Sequence, residues 1–244
     1  MSTQKPTVPP DTIDYWIASS TAGGRLRLKV RLGLKLFAWK AVVFFAHGLK
    51  RAFDIVASGA ALVAASPLFL LTALAIKLED GGPVFFRQMR VGYRGKPFGM
   101  WKFRSMVVDA EALKAKLEAQ NEMSGGVIFK MKNDPRITKV GHFIRKYSID
   151  ELPQFWNVFT GDMSVVGPRP ALAKEVAAYS PEDRQRLLAK PGITCLWQVG
   201  GRSEIDFAGQ VRLDVQYIRS SSLWTDIKLL FLTIPAVLMG KGAY

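Results

Sequence analysis

From residue 52 to residue 76 the chain is apolar at every position except Asp54, Ser58, Ser66 and Thr72. That length suits a membrane helix. Pro67 stands near the centre, where a missing N–H and a ring clash kink or break a helix. The arms on either side, residues 52–66 and 67–77, are each too short for a bilayer core of ~30 Å at ~1.5 Å per residue. Both flanks are basic, with Lys50 and Arg51 before the segment and Arg87, Arg90, Arg94, Lys96, Lys102 and Arg104 after it. Lys and Arg favour the cytoplasmic side. A single span with a tolerated proline would send one cationic flank across; a helix-break-helix that enters and leaves by one face sends neither. The pattern therefore predicts a re-entrant membrane hairpin over residues 50–80, with the Ser66 hydroxyl placed to serve peptide groups freed at the kink.

Before this segment, residues 25–36 alternate basic and apolar positions. Their period favours a strand, whereas Phe37, Trp39, Phe44 and Phe45 just beyond suit an arm lying on a membrane surface; the pattern leaves both open. Residues 1–24 are rich in Pro, Ser, Thr and Gly and read as a tail, making residues 1–49 a flexible basic arm. After Gly81-Gly82-Pro83 the pattern shortens. Residues 84–86 and 98–103 read as strands joined by a turn at 93–97. Residues 109–120 read as a helix, as do 152–159 (stopped by Gly161), 170–179, 181–189, 205–219 and 223–239. The fold class expected is α+β and helix-dominated. A re-entrant membrane helix-break-helix precedes a compact cytosolic domain, residues 81–244, with a small β element and amphipathic surface helices.

Charge changes the picture. The 244 residues carry a formal net charge of +14, and no acidic residue falls between Tyr15 and Phe53. The partner is therefore anionic: a phosphorylated substrate, membrane lipid or nucleic acid. No nucleic-acid motif is present and the apolar segment argues against that partner, so none is expected. The single cysteine, Cys195, excludes an internal disulfide and a zinc cluster and suits a reducing compartment. Residues 1–20 lack a secretory signal pattern.

Two adjacent carboxylates, Asp150 and Glu151, stand in Ser148-Ile149-Asp150-Glu151-Leu152-Pro153 among cations. Ser148 and Glu151 match a helix capping box, and acids in a first turn compensate the macrodipole. The alternative is chemistry: acids as nucleophile and metal ligand, cations as holders of phosphate oxygens. Spacing alone does not separate these, and the nearby cationic motifs favour chemistry. Lys102 and Arg104 share one face of a strand. Arg136 follows a rigid proline, Arg145 precedes the acids, and Arg169 is clamped in Gly167-Pro168-Arg169-Pro170. These five are the candidate phosphate clamps. His47 and His142 lack partners at ligand spacing and read as structural.

Lys102-Phe103-Arg104-Ser105-Met106, Asp134-Pro135-Arg136-Ile137-Thr138, residues 145–154, residues 161–170 and Lys190-Pro191-Gly192-Ile193-Thr194 through Leu196-Trp197-Gln198 together resemble the bacterial sugar transferases, the monotopic polyprenyl-phosphate phosphoglycosyl transferases. The similarity runs from about Lys50 to the C-terminus. Cys195 departs from it, standing where the family usually has glycine. The resemblance implies a membrane helix broken at Ser66-Pro67 and an Asp-Glu dyad at Asp150-Glu151, both catalytic and metal-binding, with Mg²⁺ as cofactor. It implies transfer of a sugar-1-phosphate from a UDP-sugar to undecaprenyl phosphate, through a phosphosugar-aspartyl intermediate. It further implies residence at the bacterial inner membrane with the catalytic domain facing the cytoplasm. The competing expectation is a non-enzymatic adaptor that binds anionic lipid through residues 25–51.

Overall fold

The computed structural model describes residues 20–117, 134–200 and 205–238. The expected tail lies outside them up to residue 19, as do residues 118–120 of the expected helix over 109–120. The chain divides into two units, residues 1–50 and 51–244. Helix α1, Ala22–Asp80, supplies most of the described part of the first unit and opens the second.

In the first unit the strand reading of residues 25–36 is wrong, because they are helical. Leu, Arg and Lys are strong helix formers, and a helix satisfies its own backbone with no second strand among the described residues of this unit to pair with. Phe37, Trp39, Phe44 and Phe45 are exposed.

In the second unit α1 does not break at Pro67, contrary to expectation; its helical course continues to Asp80. The local chemistry explains this. A proline at position 67 removes the donor for the Val63 carbonyl, and the Ser66 hydroxyl donates to that same carbonyl at 2.8 Å. One stripe of α1 faces the rest of the unit. Asp54, Ser58, Thr72 and Ile76 are buried and Ala61, Ala65 and Phe69 half-buried, at helical spacing. The other faces stay apolar and exposed, with Val63 at 75% and Leu70 at 72%. An apolar surface of this extent demands an apolar neighbour, and α1 is long and apolar enough to cross a membrane.

Polar contacts fix both ends of the part of α1 that belongs to the second unit. Arg51 donates to the carbonyls of Val158 and Phe159 at 2.6 and 2.7 Å, and Asp54 accepts from Ser164 Oγ and the Val165 N–H at 3.0 Å each. At the far end Asp80 pairs with Arg104, and Glu79 accepts from the N–H groups of Lys139 and Val140.

Strands β1 (Phe85–Val91) and β2 (Pro97–Phe103) form an antiparallel ribbon, as the sequence predicts in outline. Helix α2 (Ala110–Leu117) follows, then α3 (Lys139–Lys146), a 3-10 turn (Ile149–Glu151) and α4 (Gln154–Thr160), which stops at Gly161 in the left-handed region, φ 98°. Strands β3 (Ser164–Val166) and β4 (Gly192–Thr194) pair in parallel. Between them lie α5 (Ala173–Ala177) and a 3-10 helix (Asp183–Leu188), both shorter than predicted. Helices α6 (Leu196–Gly200), α7 (Phe207–Ser220) and α8 (Leu223–Leu238) complete the unit. One apolar core gathers Met100, Val158, Met163, Val165, Tyr217 and Leu229. A smaller one joins Ile76 of α1 to Phe103 and Ile144.

Candidate active site

The dyad sits where α3, β2 and α4 converge. Ser148 turns the chain after α3 with φ 55°, a left-handed conformation that a residue other than glycine adopts at a cost. Its side chain makes no capping bond, so the capping box offered by Ser148 and Glu151 does not form. Glu151 instead reaches across to β2, where Lys102 Nζ lies 2.8 Å from its Oε1 and 4.0 Å from Asp150 Oδ2. Asn157 locks this arrangement. From α4 it accepts the Trp101 N–H and donates to the Gly99 carbonyl, both at 2.9 Å, which ties the helix behind the dyad to the strand bearing Lys102.

The two acids occupy different electrostatic states. Asp150 is buried, and that burial, with Glu151 beside it, pushes its carboxyl up to about 6 despite Lys102 and Arg145. Burial also acts to raise Glu151, but Lys102, Arg169 and Arg90 outweigh it and hold that carboxyl below the ordinary range. A protein that separates two neighbouring carboxyls in this way holds one as a permanent charge and one that titrates near neutrality.

Around them opens a cleft of about 1090 Å³, whose wall includes Leu68 of α1. Lys102, Arg145 and Arg169 line it near the acids, and Arg169 is exposed to it. Arg104 and Arg136 line it too, yet both are buried and committed. Arg104 forks onto Asp80 and donates to the carbonyls of Pro83 and Met106. Arg136 grips Asp134 through Nε and Nη2 at 2.9 and 2.6 Å. These two of the five expected clamps are taken up by the frame, each in an ion pair with a carboxylate outside the cleft lining. His142 and His47 stay outside the cleft lining.

Arg90 and Gln88 also line the cleft, and sequence reasoning passed over them. Strand register could have found them. Phe86 pairs with Lys102, Gln88 with Met100 and Arg90 with Phe98, so all six share one face of the ribbon.

The loop carrying Arg169 is held by close backbone approach. A Cβ on Gly192 would lie 2.1 Å from the Gly167 nitrogen, and one on Gly167 would lie 2.3 Å from the Lys190 carbonyl oxygen. The Gly167 N–H bonds Thr194 O and the Gly192 N–H bonds Pro168 O, at 3.0 and 2.9 Å. Cys195 lies buried beneath, its thiol pushed up by burial and too inert for nucleophilic work.

For a metal, the donors at hand are Asp150 and Glu151. No cluster of three or more metal-ligating side chains exists among the described residues. That set fits Mg²⁺, which is commonly held by one or two carboxylates plus substrate phosphates, and not a cation needing a full protein cage.

The sequence profile of the family described as bacterial sugar transferase matches residues 45–240. Galactosyl transferase CpsE of Streptococcus agalactiae serotype III (strain NEM316) is 55% identical over 166 residues, covering 68% of this chain and 37% of the relative. Undecaprenyl-phosphate galactose phosphotransferase of Salmonella typhimurium (strain LT2) is 47% identical over 199 residues, 80% of this chain and 42% of the relative. UDP-glucose:undecaprenyl-phosphate glucose-1-phosphate transferase of Escherichia coli (strain K12) is 45% identical over 208 residues, again 80% of this chain and 41% of the relative. The chain thus spans about two fifths of the length of these relatives.

Proposed function

Because the chain belongs to the bacterial sugar transferase family, we propose that it transfers a sugar-1-phosphate from UDP-galactose or UDP-glucose to undecaprenyl phosphate, releasing UMP. The observation that carries this is a buried aspartate, Asp150, facing Lys102, Arg145 and Arg169 in a cleft whose wall includes the apolar helix α1. The names of the relatives from Salmonella typhimurium and Escherichia coli supply the sugar and lipid classes.

In the first step an Asp150 carboxylate oxygen attacks the sugar-proximal phosphorus. The bond from that phosphorus to the bridging oxygen breaks, and its electron pair leaves with UMP. In the second step a phosphate oxygen of the lipid attacks the same phosphorus and displaces the Asp150 carboxylate, regenerating the enzyme. The cations shield the diphosphate, whose charge otherwise repels an incoming carboxylate. Glu151, held as an anion, keeps Lys102 in place between the acids. Mg²⁺, bound by Asp150 or Glu151 with substrate oxygens, would add further charge neutralisation there.

The acceptor's phosphate is confined to the headgroup plane, so the dyad must lie near that plane. The exposed apolar faces of α1, with Leu68 lining the cleft, support a seat for α1 in the bacterial inner membrane, with the cleft on the cytoplasmic side. This would be the opening membrane step of exopolysaccharide or surface-glycan synthesis. An adaptor for anionic lipid has no use for a buried acid among cations in a cleft.

The test is incubation of purified protein in detergent with labelled UDP-sugars. Wild type should release UMP and retain label on the protein, and Asp150→Asn should do neither. Full turnover by Asp150→Asn would refute the nucleophile assignment, and a wild type that leaves every UDP-sugar intact would return the adaptor.

A further inference from the structure

Three arginines of the second unit are buried along the cleft wall, and each holds a carboxylate. Arg104 pairs with Asp80, Arg136 with Asp134, and Arg186 with Asp214. Arg90, half-buried on the same wall, is held differently. Its Nε and Nη2 both donate to Gln88 Oε1, at 3.0 and 2.7 Å, and its Nη1 donates to the Pro170 carbonyl at 3.1 Å. Every one of these acceptors is neutral. A half-buried guanidinium whose hydrogen-bond acceptors are all neutral has lost hydration, and Glu175 and Glu151 act on it through their fields without an ion pair. Its burial pulls Arg90 down to about 10, with Arg169 acting in the same direction, and it stays a cation at neutral pH.

Its surroundings show where the missing anion belongs. Arg90 lies on the same face of the ribbon as Lys102. Its field reaches Glu151 together with those of Lys102 and Arg169. Beside the dyad the wall carries the four cations Arg90, Lys102, Arg145 and Arg169 against the three carboxylates of Asp150, Glu151 and Glu175. The surplus of positive charge calls for an anionic ligand, and a diphosphate supplies it. Gln88 does something a glutamate could not: it fixes the guanidinium by accepting two of its N–H groups without neutralising it.

From this geometry we infer that Arg90 is a substrate-contacting residue that binds a phosphoryl oxygen of the nucleotide sugar's diphosphate, with Gln88 as its positioning residue. The inference rests on the sugar-1-phosphate transfer reading. The bland alternative is a strut: Arg90 merely braces β1 against the loop bearing Arg169, through Pro170. The two readings disagree about one substitution. Gln88→Glu preserves the acceptor oxygen and adds a charge. A strut would be kept or strengthened by it, whereas a phosphate site would be spoiled by an internal anion occupying the arginine.

The experiment measures UDP affinity by titration, KM for the UDP-sugar, KM for polyprenyl phosphate and the thermal midpoint, for wild type, Gln88→Glu and Arg90→Gln in detergent. In Gln88→Glu the UDP Kd and the UDP-sugar KM should each rise roughly 10-fold, the scale of one lost charge-assisted contact, with the thermal midpoint held or raised. Arg90→Gln should show a similar or larger rise. Unchanged UDP affinity in Gln88→Glu overturns the inference even if Arg90→Gln fails to fold. A rise confined to the polyprenyl-phosphate KM would overturn it too, by moving the contact to the lipid phosphate. A wild type that neither binds UDP nor releases UMP would bring down the transfer reading, and this inference with it; normal wild-type turnover with unaffected variants brings down this inference alone.

Discussion

Two stretches of the cleft wall are cationic and do different things with their charge. Where the end of α1 meets the segments on either side of α2, Arg104 and Arg136 are buried against Asp80 and Asp134. Around the dyad, Lys102, Arg145 and Arg169 face Asp150 and Glu151, and Arg169 stays exposed. The difference is where the acid sits: Asp80 and Asp134 lie outside the cleft lining and lock their arginines into the frame, whereas Asp150 and Glu151 line the cleft together with the cations around them. Asp134 stands two residues from Arg136, so that pairing was visible in the sequence; Asp80 reaches Arg104 only through the fold.

The sharpest way to break this comparison is to remove one cation from each stretch. Arg136→Met strands a buried Asp134 and should cost about 3 kcal/mol of stability by denaturant unfolding, since losing one partner of a buried pair leaves an uncompensated charge. The protein that remains folded should keep its KM for the UDP-sugar. Arg169→Ala should do the reverse, lowering kcat/KM roughly 100-fold, or about 2.7 kcal/mol, without moving the unfolding midpoint. If Arg136→Met raised KM while sparing stability, the division between the two stretches would be lost.

A smaller effect sharpens the division within the dyad. Asp150 must be ionised to attack, and its carboxyl is raised to about 6 by burial and by Glu151. The raised value means that the attacking form is depleted as pH falls through that value. Single-turnover UMP release should therefore be level above it and drop about 10-fold for each pH unit below. Glu151, held low by the surrounding cations, should add no step in that range. A rate that stayed flat down to the ordinary aspartate range would show that Asp150 is not the titrating nucleophile.

Sequence pattern reached some of this and missed the rest for identifiable reasons. The ribbon β1–β2 was legible because alternating side chains and a Gly-Lys-Pro turn report themselves locally. The three-residue strands β3 and β4 were not. They are too short for a period, and what pairs them is the contact of Gly167 with Gly192, a relation between distant residues. The dyad was legible as an acid pair among cations, but its alternative life as a capping box could be dismissed only once Glu151 was seen on Lys102. Alternation misled over residues 25–36, since a period of two means a strand only where a partner strand exists. Arg90 was missed because a lone arginine on a strand shows nothing until cross-strand register sets it on the face of Lys102.

The smallest effect tests why α1 continues past Pro67. Ser66 Oγ donates to Val63 O, the carbonyl whose backbone donor the proline removed. Ser66→Ala should cost about 1 kcal/mol, the net worth of one hydrogen bond. That figure alone would not distinguish a repair from an ordinary side-chain contact, but a double-mutant cycle does. Pro67→Ala restores an N–H at position 67, which can bond Val63 O directly, so in that background Ser66→Ala should cost close to nothing. The coupling between the two sites should then equal nearly the whole single-mutant effect, measured as midpoint shifts in one detergent. If Ser66→Ala costs the same with and without the proline, the hydroxyl is not standing in for the missing amide, and the continuity of α1 must come from its packing against Phe103 and Ile144.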